Sequence, residues 1–265
     1  MTRHVVLWLT VAVYMIAYMD RLVISALVPV IQSDLGFSLT TVGWILGSFR
    51  WGYALLQIPA AWIGDRAGPR RTLAAIVAWW SLFTALTAAA AGAVSMAALR
   101  FLFGVGQAGA FPIATRSLSR WMLPSERGWA QGVTHAGSRL GGAITPPLAV
   151  FLAAAFGWRP ALVAFGAIGF VWAAVWLWYY RDSPAAHPRV SAAELHLIRS
   201  HLGDARPRPP APWRAILASA TLWRLSAMYF CYAWCVSVYF DWFPKYLNSH
   251  RGFDLKTMGL LASLP

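Results

Sequence analysis

Seven stretches of this chain are apolar and long enough to cross a bilayer, and that repetition constrains the fold more than any motif does. A hydrocarbon core of ~30 Å is crossed by about 20 helical residues. Such stretches run over Val5–Ile31, Thr41–Ile63, Thr72–Gly92, Met96–Ser117, Trp129–Phe156, Pro160–Tyr180 and Leu222–Leu247, and an eighth begins at Leu255. Lipid offers no partner to backbone amides, so each stretch is read as a helix and the chain as an all-α membrane protein. Of the 265 residues 59% are hydrophobic and only 12% charged, about half the charge of a soluble domain. That leaves too little polar surface for a soluble enzyme, a disordered chain or a disulfide scaffold. Arg3 ahead of an apolar run has the look of a secretory signal. The run continues ten residues past Arg21 with no cleavage site, so it reads as a retained helix.

Charge in the loops sets the expected topology. Arg3, the group Arg66, Arg70 and Arg71, the group Arg116, Arg120 and Arg127, and the run from Arg181 through Arg189, Arg199, Arg206 and Arg208 to Arg214 all fall on one side. The turns 32–40 and 92–95 carry no Lys or Arg, and 157–160 carries only Arg159. The amino terminus is therefore expected in the cytoplasm. The net charge of +13 is mostly this topological signal, so no nucleic-acid partner is expected. Residues 181–213 form the one polar connection. Within it Ser191 and Glu194 have capping-box spacing, followed by Leu195, Ile198 and Leu202 at helical period, which predicts a short amphipathic helix at the cytoplasmic surface. The expected units are a six-helix half over 1–180, this loop over 181–213, and the start of a second half over 214–265.

Ionisable groups at bilayer depth are costly and mark candidate functional positions. They are Asp20 and Arg21 in the first stretch, Arg50 in the second, Arg100 in the fourth, Arg139 in the fifth and Asp241 in the seventh. Adjacent residues on a helix point about 100° apart, so Asp20 and Arg21 cannot satisfy only each other. Either they fix helix packing or they serve a ligand. Arg100 and Gln107 share a helix face about 10.5 Å apart, and antiparallel entry brings Gln107 to the depth of Asp20 and Arg21. Cations on two helices facing one cavity suit an anion, because a guanidinium holds a carboxylate through two parallel hydrogen bonds. Gly104, Gly106 and Gly109 are read as close-approach positions. Tyr18 and Tyr53 lie at mid-depth, as cavity donors or as packing. Trp79, Trp80, Trp172, Trp176 and Trp178 are read as an interfacial belt, Cys231 and Cys235 as small buried hydrophobes, and Asp241 as solvated. All six histidines, His135 among them, are placed at span ends or in loops. With no His-Glu-x-x-His or Gly-x-Ser-x-Gly sequence, neither an enzyme nor a metal or other cofactor is expected.

Several motifs carry a family resemblance. Asp65-Arg66-Ala67-Gly68-Pro69-Arg70-Arg71 fits the D-R-x-G-x-R-R loop signature of the major facilitator superfamily, with Ala61 where that signature opens on Gly. Tyr18-Met19-Asp20-Arg21, Trp51-Gly52-Tyr53, Gln57-Ile58-Pro59, Arg100 with Ala108-Gly109-Ala110-Phe111-Pro112, Gly137-Ser138-Arg139-Leu140-Gly141 with Pro146-Pro147, and Trp242-Phe243-Pro244-Lys245-Tyr246-Leu247 follow in order. As an ordered set they resemble the anion:cation symporters, which include bacterial hexuronate, galactonate and glucarate transporters.

The resemblance implies a major facilitator half of six helices, built from two inverted three-helix repeats, plus the first helix of a second half. It implies a multi-pass protein of the bacterial inner membrane, monomeric at full length, taking up a sugar acid or related organic anion with a proton. Arg21 and Arg100 would hold the carboxylate, with Tyr18, Tyr53, Gln107 and Ser138 beside it, and Asp20 would carry the proton. Asp65, Arg66, Gly68, Arg70 and Arg71 would form the gating loop. Position 107 is commonly Glu in that family. Gln107 binds a hydroxyl but carries no proton, which favours a facilitator or exchanger as the second reading. A non-transporting sensor is a third. The chain is expected to be a fragment or the product of a truncated gene, unable to concentrate an anion alone.

Overall fold

The computed structural model describes residues 1–202 and 212–264. Arg206 and Arg208 lie outside them. Helices α1 (Thr2–Leu35), α2 (Leu39–Ala67), α3 (Pro69–Leu86), α4 (Ala93–Gln107), α5 (Ala110–Trp121), α6 (Arg127–Phe156) and α7 (Trp158–Tyr179) build the first bundle. The short α8 (Ala192–Leu202) and α9 (Trp213–Leu217) precede the long α10 (Ala220–Ser249) and α11 (Leu255–Leu261). Five units are both long and apolar enough to cross a membrane: Thr2–Leu35, Pro69–Ala89, Ala93–Trp121, Pro124–Phe156 and Trp158–Tyr179. Helices α2 and α10 have the length, 29 and 30 residues, and less apolar sequences. These two helices supply Arg50, Tyr229, Tyr232, Ser237 and Asp241 to a cavity.

The fourth apolar stretch is two helices rather than one, broken at Ala108 and Gly109. Pro112 explains the break: it has no N–H for the Ala108 carbonyl four residues back, and its ring crowds that carbonyl. Between α1 and α2, Gly36 ends the first helix at φ 65 and donates its N–H to the Gln32 carbonyl, and the Ser38 side chain caps α2 by accepting from the Thr41 N–H at 3.1 Å.

The packing has the symmetry of an inverted repeat. Helix α1 packs along α6, α4 along α2, and α3 along α7. Each pair meets at glycine. A β-carbon at Gly52 of α2 would run into the Phe101 carbonyl of α4, and one at Gly104 into the Phe49 carbonyl of α2. On the α1–α6 pair, Gly137 and Gly141 of α6 lie against Val11 and the Met15 carbonyl of α1, and on the α3–α7 pair Gly166 of α7 lies against the Ser81 carbonyl of α3. Gly52 of α2 and Gly137 and Gly141 of α6 thus each mark the packed face of their helix. Removing side chains lets backbones approach closely, the main attraction available where lipid is as apolar as the protein.

One end of the bundle gathers the cationic loops. Asp65 pairs with Arg116, and Arg66 stacks on Trp62 at 3.8 Å. Gly68 has φ 83, and its missing β-carbon leaves room for the Asp182 carboxylate, which accepts from the Arg70 N–H at 3.1 Å and the Arg120 guanidinium at 3.4 Å. Arg70 also donates to the Leu177 carbonyl at 2.6 Å, and Arg71 is exposed. An acid at the amino end of α3 satisfies a helix donor and meets the positive end of its dipole. Glu194 of α8 does the same for α1, accepting from the Thr2 and Arg3 N–H groups at 3.1 Å each. The capping box at Ser191 is therefore only half made: the Ser191 side chain accepts from the Glu194 N–H at 3.2 Å, while the carboxylate is spent on another helix.

The tryptophan belt needs correction. Trp80, Trp172 and Trp176 are buried, whereas Trp79 and Trp178 are exposed. Trp80 stands nine residues into the stretch Thr72–Gly92, near its middle, so depth alone argues for the core. Cys231 and Cys235 are exposed rather than buried, free thiols on α10, because α10 rests on the bundle mainly through α1 and leaves much of its circumference uncovered.

Candidate functional site

A cavity of about 360 Å³ lies between α1, α2, α6 and α10. Tyr18, Arg21, Phe49, Arg50, His135, Arg139, Tyr232 and Asp241 are on its wall. The Arg21 guanidinium is its most built feature. Phe49, Tyr53, Tyr18 and Phe111 surround it with ring centres 4.9, 5.2, 5.3 and 5.9 Å away. Its Nε and Nη2 both donate to Gln107 Oε1, at 3.0 and 2.8 Å. The Gln107 amide then donates to the Ala17 carbonyl at 2.8 Å. Counting residues through antiparallel helices therefore gave the right depth for Gln107. The aromatic faces attract the cation without neutralising it, and the amide fixes its plane while two Nη groups keep free donors.

Asp20 turns the other way, as neighbours on a helix must. It is fully buried, accepts from Trp80 Nε1 at 3.0 Å, and its Oδ1 has no hydrogen-bond partner among the described residues. Arg100 is close enough to act on it electrostatically. Arg100 is 1% exposed, with its guanidinium carbon 4.1 Å from the Phe103 ring centre and 5.9 Å from that of Phe49. In this conformation Arg100 stands behind the cavity wall, and Phe49 lies within reach of both arginines. Ser138 is also buried, its hydroxyl donating to the His135 carbonyl at 2.7 Å on its own helix.

Three side chains reach the cavity that sequence reasoning placed elsewhere or left aside. Asp241 is paired, not simply solvated: Arg50 Nη2 lies 2.5 Å from its Oδ2. Arg139 donates to the Tyr232 hydroxyl at 2.9 Å and sits 5.8 Å from the Phe240 ring centre. His135 belongs to the body of α6 and lines the cavity, one turn before Arg139. It stands about two helical turns past the start of α6 at Arg127. The signal that would have found both is their spacing of four, which puts them on one face of one helix. Among the described residues no group of three His, Cys, Asp or Glu side chains is arranged to hold a metal.

Comparison with known proteins shows the family and the fold. The family described as Major Facilitator Superfamily matches residues 10–265. The chain is 41% identical over 266 residues to a probable sulfoacetate transporter of Cupriavidus necator, covering all of this chain and 61% of that protein. It is 32% identical to a hexuronate transporter of Bacillus subtilis, covering 94% and 58%, and 30% identical to a probable L-galactonate transporter of Escherichia coli, covering 94% and 55%. The chain thus spans between 55% and 61% of the length of these relatives. The crystal structure of a bacterial homolog of the human lysosomal transporter Spinster, inward-facing and unoccupied, superposes with a TM-score of 0.77 at 22% identity, over 99% of this chain and 60% of that one. That likeness shows the fold.

Proposed function

The chain belongs to the Major Facilitator Superfamily, whose members here are transporters rather than enzymes, and from that premise we propose that it serves proton-coupled uptake of a small organic anion, of the sugar-acid type, across the bacterial inner membrane with its amino terminus in the cytoplasm. The observation that carries the reading is the Arg21 guanidinium, presented to the cavity inside an aromatic collar and held by the neutral Gln107 amide. A carboxylate arriving there gains charge-assisted hydrogen bonds that the Gln107 amide does not offer. Relatives named as sulfoacetate, hexuronate and L-galactonate transporters support an anion of this size.

Asp20 is the proton carrier in this reading. It is a buried acid with one oxygen unpartnered, on the residue next to the anion's ligand, and Arg100 lies on its side of the wall. Anion arrival draws on Arg21 and Phe49, the ring shared with Arg100, and so changes the charge that Asp20 faces. Asp65, Gly68 and Arg70 tie helix ends together at one end of the bundle, and with Arg66 and Arg71 they act as the gate in this reading. Gln107 supports a second reading, exchange without a proton, because the amide cannot ionise.

The two readings separate in one experiment on the purified chain. Addition of D-galacturonate or sulfoacetate in weak buffer should take up protons, reported by a pH indicator, and Asp20→Asn should bind the anion while taking up none. Arg21→Ala should lose binding of the anion, at a cost of about 2–5 kcal/mol. Binding with no proton uptake in either protein selects exchange, and unchanged affinity in Arg21→Ala refutes the site.

A further inference from the structure

We infer that the anion this cavity takes carries two negative charges, and that Arg139 of α6 is the second anion-holding residue beside Arg21 of α1. The inference rests on the reading of the cavity as an anion site and adds to it the charge of the ligand. Three guanidinium groups and one carboxylate stand on the described wall: Arg21, Arg50, Arg139 and Asp241. Arg50 and Asp241 cancel, at 2.5 Å. Arg21 is held by an amide oxygen and Arg139 by a phenol oxygen, and among the described residues neither has a carboxylate partner. On the described wall two guanidinium groups are therefore left without a carboxylate, Arg21 half-buried and Arg139 exposed. A ligand with two anionic groups pairs both; a ligand with one pairs only one of them.

The geometry of the donors agrees. A guanidinium has five N–H donors; Arg139 commits one Nη to Tyr232, and Arg21 commits its Nε and one Nη to Gln107. Each keeps enough to grip a carboxylate. Helices α1 and α6 are packed partners, and about 360 Å³ is at the small end of ligand cavities. The fitting class is a short-chain molecule with two carboxylates, or with one carboxylate and a second oxyanion. In the opposite view Arg139 only ties α6 to α10 through Tyr232, a role a neutral donor also fills.

Matched pairs of probes decide between these. Succinate against butyrate and glucarate against gluconate differ in one charge at equal chain length. Calorimetric titration of the purified chain at pH 7.5 should show the dianion of at least one pair binding about tenfold tighter than its monoanion. Arg139→Gln, which still donates to Tyr232, should reduce that ratio to about threefold or less, and Arg139→Lys should keep most of the preference. Equal affinity for both members of each pair in the unaltered chain, or a ratio unmoved by Arg139→Gln, overturns the inference and leaves the anion site standing. A preference lost in Arg50→Gln but kept in Arg139→Gln overturns the assignment to Arg139. Failure of all four probes to bind folded protein overturns the anion reading itself.

Discussion

Arg21 and Gln107, 86 residues apart in the chain, are joined by two hydrogen bonds to one oxygen, Gln107 Oε1, at 3.0 and 2.8 Å. The bond links the first and fourth apolar stretches at the cavity, and the Gln107 amide anchors it to the Ala17 carbonyl one turn before Arg21. The cation of the site is thus positioned by a group that neither carries charge nor titrates. Its orientation is fixed before an anion arrives, and its charge remains available.

Replacing Gln107 tests both properties. Gln107→Leu removes the acceptor and leaves Arg21 without its hydrogen bonds at membrane depth, so the melting temperature in detergent should fall by the equivalent of about 1–3 kcal/mol. Gln107→Glu should instead keep the fold, compete with the incoming anion for Arg21 and weaken its binding at neutral pH. The new carboxyl titrates where the amide did not, so anion affinity should then depend more steeply on pH. Affinity and pH dependence equal to those of the unaltered chain would show that Gln107 does not govern Arg21.

The glycines of α2 offer a prediction of opposite signs within six residues. A β-carbon at Gly52 would stand 3.1 Å from the Phe101 carbonyl carbon and 3.0 Å from the Val105 nitrogen, backbone atoms that cannot step aside. Gly47, on the same helix, has nothing within 4 Å of its would-be β-carbon. Gly52→Ala should cost about 1–3 kcal/mol by forcing α2 and α4 apart, whereas Gly47→Ala should stabilise by up to about 1 kcal/mol through the lower backbone entropy of alanine. Thermal unfolding of the two variants in one detergent measures both. Equal effects would mean that the α2–α4 contact is not held at Gly52.

Depth was legible in the sequence, and azimuth was not. Apolar length gave five of the seven expected spans, α2 and α10 having the length with less apolar sequences, and counting along antiparallel helices put Gln107 level with Arg21. Which side of a helix meets the cavity depends on the neighbours it packs against. Arg50 and Asp241 are 191 residues apart and pair only because α2 and α10 share a wall. Arg139 and His135 sit among glycines that do pack on α1, yet they stand on the adjoining face. Asp20 and Arg21 show the same limit at one position: the 100° between neighbours said that they diverge, but not that Asp20 would face Trp80 and Arg21 the cavity. The capping sequence at Ser191 likewise announced a helix without announcing that Glu194 would cap α1.

Outside the membrane, His187 predicts a pH dependence. It is buried between Trp121 and Tyr179, with ring centres at 5.5 and 4.9 Å, and its Nδ1 accepts from the Arg189 N–H at 3.1 Å. Burial, with Arg181 and Arg189 nearby, holds the imidazole below its ordinary value of 6.5. A folded value below the unfolded one means that the unfolded chain binds the extra proton first. The contribution of His187 is therefore complete above about pH 6.5 and is lost as pH falls below it. The melting temperature should decline from pH 7 toward pH 5, and His187→Phe, which keeps a ring between Trp121 and Tyr179, should flatten the decline. An identical slope in the variant would assign the effect to other groups.

Trp80 and Asp20 carry the last prediction, because that bond decides whether the buried acid is held in place or merely enclosed. Trp80 Nε1 is the one donor to the Asp20 carboxyl among the described residues, at 3.0 Å, and both side chains are fully buried. Trp80→Phe keeps most of the ring volume and removes the donor, leaving both carboxyl oxygens without a hydrogen bond. A buried acceptor stripped of its partner costs about 1–3 kcal/mol. Asp20→Asn should cost less, since the amide oxygen still accepts from Trp80 and the charge that burial penalises is gone. The two substitutions share one bond, so their effects should not add: Trp80→Phe should cost less in the Asp20→Asn background than in the unaltered chain, by at least about 0.5 kcal/mol. The functional outcomes should also differ. Trp80→Phe leaves the acid free to titrate, so proton uptake on anion binding persists with a displaced pH midpoint, while Asp20→Asn abolishes it. A double-mutant cycle by thermal unfolding, run beside the proton-uptake measurement, checks both. Additive stabilities together with an unmoved midpoint would show that Trp80 is only core packing and that something else holds Asp20.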